Sequence, residues 1–75
     1  MAKKEHLNLL KQGVDAWNAW RKEHSDIQPD LREAQLLRAN LSEAELSAAD
    51  LRWSNLRNAV LNRTNLSEVV RREVA

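Results

Sequence analysis

A leucine stands at every fifth position from Leu31 to Leu66, at Leu31, Leu36, Leu41, Leu46, Leu51, Leu56, Leu61 and Leu66, and no regular element can use that spacing. In an α-helix a step of five residues turns by about 140°, which scatters the leucines around the whole circumference. In a flat strand an odd step sends successive leucines to opposite faces. The spacing requires a chain that turns a corner after each five residues and carries every leucine inward on a new side. The flanking positions repeat as well. Two residues before each leucine stand Pro29, Ala34, Ala39, Ala44, Ala49, Ser54, Ala59 and Thr64, nearly all small. One residue before stand Asp30, Gln35, Asn40, Glu45, Asp50, Asn55, Val60 and Asn65, nearly all polar. A small residue and a leucine pointing in, with three residues pointing out, make one complete side of a narrow tube. A short period repeated this often predicts a solenoid.

The residues ahead of the repeat obey a different rule. From about Lys4 to His24 the pattern is helical, with Leu7, Leu9, Leu10, Val14, Ala16, Trp17 and Trp20 on one half of the wheel and Asn8, Lys11, Gln12, Asp15, Asn18, Lys22 and Glu23 on the other. The apolar arc spans roughly 180°, wider than the stripe a helix needs to lie on one core, so its two edges can bury against different things. Gly13 interrupts the arc at about 1 kcal/mol relative to Ala. Either another backbone approaches closely there or the glycine has no packing reason. Ser25 to Pro29 ends the helix, because proline disfavours helical geometry in the residue before it. The expected division is a capping helix and connector over 1–28, the repeat over 29–69 and a tail over 70–75. Past Leu66 the leucine period fails, with Arg71 where the next leucine belongs.

Seventy-five residues make one small domain, a size at which a single core rarely nets more than about 3–5 kcal/mol without further support. There is no cysteine, so neither a disulfide framework nor a thiolate metal site supplies that support, and a cytoplasmic setting is expected. No long apolar run occurs, which excludes a membrane span or signal peptide from the reading. A net charge of +1 with both signs interspersed gives no strong footprint for nucleic acid or anionic lipid. One Gly and one Pro leave the corners to be built from ordinary residues.

The segment PDLREAQLLRANLSEAELSAADLRWSNLRNAVLNRTNL resembles the pentapeptide repeat family, whose pattern is a small residue, Asp or Asn, Leu or Phe, a polar residue and a variable one. LLKQGVDAWNAWRKEHSDIQPDL is similar to the helical leader that precedes such repeats in many bacterial, notably cyanobacterial, members. The resemblance implies an all-β solenoid: a short right-handed quadrilateral β-helix of about two coils, four pentapeptides to a coil, capped by one N-terminal α-helix. Gln35, Glu45 and Val60 depart from the family's Asp or Asn, which puts corner hydrogen bonding in doubt at those sides. With four sides per coil, residues twenty apart stack, giving Leu31 on Leu51, Leu36 on Leu56, Leu41 on Leu61 and Leu46 on Leu66. Two coils would stand about 10 Å tall with exposed backbone at both ends. The helix is the expected lid for the first coil, through Leu10, Val14 and Trp17. The other end is expected to be closed by another chain, most simply a second copy about a two-fold axis.

Candidate sites are few. Trp53 points outward, with Leu37 and Val60 on neighbouring outward positions, and reads either as a partner surface or as cover for its own tube. Trp20 lies at the edge of the helical arc and reads as lid packing or as a contact with another chain. His6 and His24 are each alone, with no second ligand at metal spacing, and His24 on the apolar arc reads as a buried or capping residue. Glu43 over Arg63 reads as an exposed ion pair worth under about 1 kcal/mol. No nucleophile motif or phosphate loop is present, and the sequons at Asn40, Asn62 and Asn65 carry no meaning in an intracellular chain. The expected function is therefore a non-catalytic scaffold or protein-interaction module, with a protein partner or a homo-oligomer. No cofactor, metal, nucleic acid, membrane or small-molecule substrate is expected. The family suggests an alternative, inhibition of DNA gyrase by mimicry of duplex DNA, whose members look like long acidic rods.

Overall fold

Gly13 divides the N-terminal helical segment in two. In a computed structural model describing residues 2–75, α1 spans Lys4–Lys11 and α2 spans Val14–Glu23, in place of the single helix expected. Gly13 sits at φ 127°, ψ 161°, a conformation that L side chains rarely adopt. A Cβ built there would meet nothing within 4 Å, so the glycine serves the backbone angle and not a close approach. The break lets two short helices fold over one surface, α1 burying His6 and Leu10 and α2 burying Trp17 and Arg21.

From Asp30 onward each five residues make one side of a square circuit. Residues twenty apart meet in single parallel bridges, Asp30 with Asp50, Gln35 with Asn55, Asn40 with Val60, Glu45 with Asn65 and Asp50 with Val70. Each bridge is held from both directions: Leu31 N–H donates to Asp50 C=O at 2.9 Å and Asp50 N–H to Pro29 C=O at 2.9 Å. After the leucine the chain turns. The small residue's N–H closes the turn on the leucine carbonyl, as in Ala34 to Leu31 at 3.1 Å, and the residue before it takes positive φ. Glu33, Arg38, Glu43, Ala48, Trp53, Asn58, Arg63, Glu68 and Glu73 all lie between φ 56° and 66°. Positive φ at the third residue of a turn ordinarily selects glycine or asparagine. Here ordinary residues accept it, and from Glu33 to Trp53 their own N–H groups are tied to the next circuit, Glu33 to Arg52 C=O at 2.9 Å.

These turns overturn the expected fold class. The all-β solenoid implied by the resemblance is not what forms: the regular elements are two α-helices, and no strand or sheet is present among the described residues. The reason lies in the length of a side. Of five residues, one bridges, and the turn claims those that follow, so no two consecutive residues extend a ladder. Residues 70–75, expected as a tail, carry the pattern on. Val70 bridges Asp50, Leu56 N–H donates to Ala75 C=O at 2.9 Å, and Ala75 N–H donates to Ser54 C=O at 3.0 Å. The backbone does not need a leucine to keep turning, and Arg71 at the leucine position simply stands exposed.

The core fills the first circuit and thins in the second. Leu31, Leu36, Leu41, Leu46 and Leu51 are buried together with Ala34, Ala44, Ala49, Leu10 and Trp17. Leu56, Leu61 and Leu66 are only partly buried. Polar residues at the small position satisfy themselves on nearby carbonyls, Ser54 Oγ on Leu51 at 2.7 Å and Thr64 Oγ1 on Leu41 at 2.7 Å.

Candidate interaction surfaces

The two ends of the stack are chemically different. At the first circuit the helices meet a ring of backbone groups surrounding an apolar centre, and their side chains match both. Leu10 and Trp17 fill the centre, with Val14 partly buried beside them. Around the rim, Trp17 Nε1–H donates to Glu45 C=O at 2.7 Å. Asn18 works in two directions, its Nδ2 donating to Glu43 C=O at 3.0 Å while its Oδ1 accepts from Glu45 N–H at 2.8 Å. Arg21 spans the connector and the circuit, donating to Ile27 C=O at 3.0 Å and to Ser47 C=O at 2.8 Å. Its Nε is buried with no partner. Gln28 reaches Ala48 C=O at 3.1 Å, and Lys3 N–H reaches Asp30 C=O at 3.0 Å.

His6 completes the rim from α1. Its Nδ1 accepts the Asp30 N–H at 2.8 Å, which requires a neutral ring with the proton on Nε2. Burial lowers its pKa from the ordinary 6.5, Lys3 and Arg21 add to the fall, and Asp30 and Glu5 oppose it. Trp20 lies half-buried among aromatic rings, 4.8 Å from His6, 5.3 Å from Trp17 and 5.4 Å from His24. His24 is the residue that ends α2, its Nδ1 3.2 Å from Trp20 C=O.

Among the described residues, the opposite end has no such cover. Leu56, Leu61, Leu66, Val69 and Val74 are partly exposed there, and Val60 and Val70 stand exposed. One circuit above, Leu41 and Leu46 donate their N–H groups to Val60 and Asn65 at 2.8 and 3.0 Å. The corresponding groups of Leu61 and Leu66 face the uncovered end.

The walls are sewn by the residue before six of the eight leucines. Its side chain accepts the N–H two residues on: Asp30 from Arg32, Asn40 from Ser42, Glu45 from Ser47, Asp50 from Arg52, Asn55 from Arg57 and Asn65 from Ser67, at 3.0 to 3.2 Å. This is the local bond that favours Asp and Asn at corners. Glu45, a departure from that pattern, keeps the bond and also receives Asn65 Nδ2 at 3.2 Å. Gln35, another departure, instead accepts from Asn55 Nδ2 across the circuits at 3.4 Å. On one wall Asp30 and Asp50 each hold the guanidinium of the arginine two residues on, and Arg32 also reaches Asp50 at 3.9 Å. The guanidinium hydrogen bonds hold both carboxyls below their ordinary 3.8, and contact with Ser47 holds Glu45 below 4.5.

The outward candidates lie on successive sides of the circuit. Trp53 ends one side, Leu37 lies on the next side and Val60 begins the one after, with the three 45%, 51% and 41% exposed. Trp53 Nε1–H is instead tied down to Glu73 Oε2 at 2.5 Å, with the Arg52 guanidinium 5.5 Å from the ring centre. Glu43 and Arg63 approach to 3.9 Å, both highly exposed. A groove of about 660 Å³ runs between α2 and the side opposite it, lined by Arg21, Lys22, Ser25, Glu43, Glu45 and Ser47. The described residues hold no group of three or more His, Cys, Asp or Glu placed to bind a metal ion. They also contain no helix long and apolar enough to cross a membrane.

Residues 27–58 and 44–70 match the family described as pentapeptide repeats (8 copies), together more than half of the chain. The chain belongs to the pentapeptide repeat family. No curated protein and no solved structure matches it. Within this pentapeptide repeat chain, Asn18, Arg21, Gln28 and His6 make the rim contacts that a hydrophobic wheel overlooks. It sorts residues by apolarity alone, whereas the end of a pentapeptide repeat circuit is an apolar disc bordered by carbonyls and N–H groups. A polar residue one step from Trp17 is the signal that could have found Asn18.

Proposed function

We propose that this pentapeptide repeat chain is a non-catalytic protein-interaction module of the cytoplasm that pairs with a second copy through the uncovered end of its last circuit. One observation carries the reading: Leu56, Leu61 and Leu66 are partly exposed, whereas Leu36, Leu41 and Leu46 directly above them are buried. The backbone at that end is self-complementary. Each wall offers a carbonyl before the bridging residue and an N–H after it, as at Ala59 and Leu61 around Val60, and a two-fold axis sets such a pair against its own copy in antiparallel sense. Val60 and Val70 lie on opposite walls, so a two-fold through the wall between them brings the valine of one copy against that of the other. Trp53 offers a second contact surface on the flank, through its open indole face. The gyrase-inhibitor alternative receives no support from a net charge of +1 and a longest dimension of 29 Å.

Light scattering coupled to size exclusion tests the pairing. A dimer at micromolar concentration that Val70→Glu converts to a folded monomer is the expected result. A wild-type monomer across the accessible concentration range overturns it.

A further inference from the structure

His6 joins the first helix to the circuit through a bond that only one protonation state can make. Its Nδ1 accepts the Asp30 N–H at 2.8 Å, and Lys3 N–H donates to the Asp30 carbonyl at 3.0 Å, so the start of α1 grips one residue by both its N–H and its C=O. The ring is 5% exposed and lies 4.8 Å from the Trp20 indole. The charged groups facing it are Lys3 and Glu5 from its own segment, Arg21 from α2 and Asp30 from the first side. His24 approaches the same indole from α2. We propose that His6 is a proton-operated latch: the neutral ring holds α1 on the first circuit, and the charged ring releases it.

A proton added at Nδ1 turns the acceptor into a donor facing another donor. The Asp30 N–H loses its partner, and a cation is left buried between Lys3 and Arg21 with only Asp30 and Glu5 to offset it. α1 is eight residues long, well below the length at which an isolated helix holds together in water. Once undocked it therefore also unwinds. α2 stays in place, because Trp17, Asn18 and Arg21 hold it to the circuit without any titrating group of their own near neutrality.

Nuclear magnetic resonance of the whole chain tests the latch, with His24→Gln present throughout so that one imidazole reports. Between about pH 6.5 and the carboxylate range near 4, the Asp30 amide and the α1 amides are expected to move together with the His6 ring signal. The helical signal of eight residues is lost, and the amides of Leu31 to Leu51 remain native. His6→Gln keeps an oxygen that can accept the Asp30 N–H but has no proton to gain, and is expected to show no such transition. An α1 that stays helical with His6 charged overturns the proposal. So does loss of every native amide at one midpoint, or an unchanged transition in His6→Gln. If the chain with His6→Gln fails to fold, the titration with His6 in place alone decides. Neither outcome bears on pairing at the other end, which light scattering at neutral pH reads separately.

Discussion

At the residue scale the corners carry the strain of the fold. Nine non-glycine residues hold φ near +60°, a region that disfavours L side chains by about 1–2 kcal/mol each in a left-handed helical context. Ala48 is the cleanest place to relieve it, since its side chain makes no polar contact to lose. Ala48→Gly is expected to stabilise the chain by about 1 kcal/mol, or a rise of about 4–8 °C in Tm for a domain of this size, measured by thermal denaturation. Gly13→Ala is the opposite experiment. Nothing crowds the added methyl, so a loss of about 1–3 kcal/mol reports the backbone angle alone. The carboxylates Asp30, Glu45 and Asp50 have folded-state pKa values below their unfolded ones. Their stabilising contribution is complete above the ordinary range and disappears as pH falls through the lowered values. An acid titration followed by urea melts is expected to show that decline, and Asp50→Asn to flatten it.

At the scale of elements, a lid must fit what it covers. Trp17 shows the double requirement in one side chain, its ring in the apolar centre and its Nε1–H on the Glu45 carbonyl. Trp17→Phe keeps the first and removes the second, and is expected to cost about 1–3 kcal/mol in chemical denaturation, because a part-buried carbonyl is left unpaired. The turning of the chain at each fifth residue was legible from Leu31 to Leu66, because no helix or flat strand tolerates that spacing. The helical character of the N-terminal segment was legible from its apolar arc, though as one helix where two form. The secondary-structure class was misread, since a repeat that pairs one residue per side satisfies its backbone without ever making a strand. The break at Gly13 was hidden because a glycine inside a periodic helix reads only as a weak spot. Asn18 and Arg21 were hidden because hydrophobic patterning has no term for carbonyls awaiting donors.

At the scale of the whole molecule, burial falls from the helical end to the far end, and mutational cost should follow it. Leu41→Ala removes a buried side chain and is expected to cost about 2–5 kcal/mol. Leu61→Ala, twenty residues on and partly exposed, is expected to cost less than half as much in dilute solution. If copies pair, the gap between the two narrows as protein concentration rises, and it stays fixed if they do not. The helices that close the first circuit also settle how far such pairing can go. If copies pair through the far end, the blocked first circuit gives the stack a valence of one along its axis, so higher concentration multiplies finished pairs there and does not lengthen them end to end into fibres.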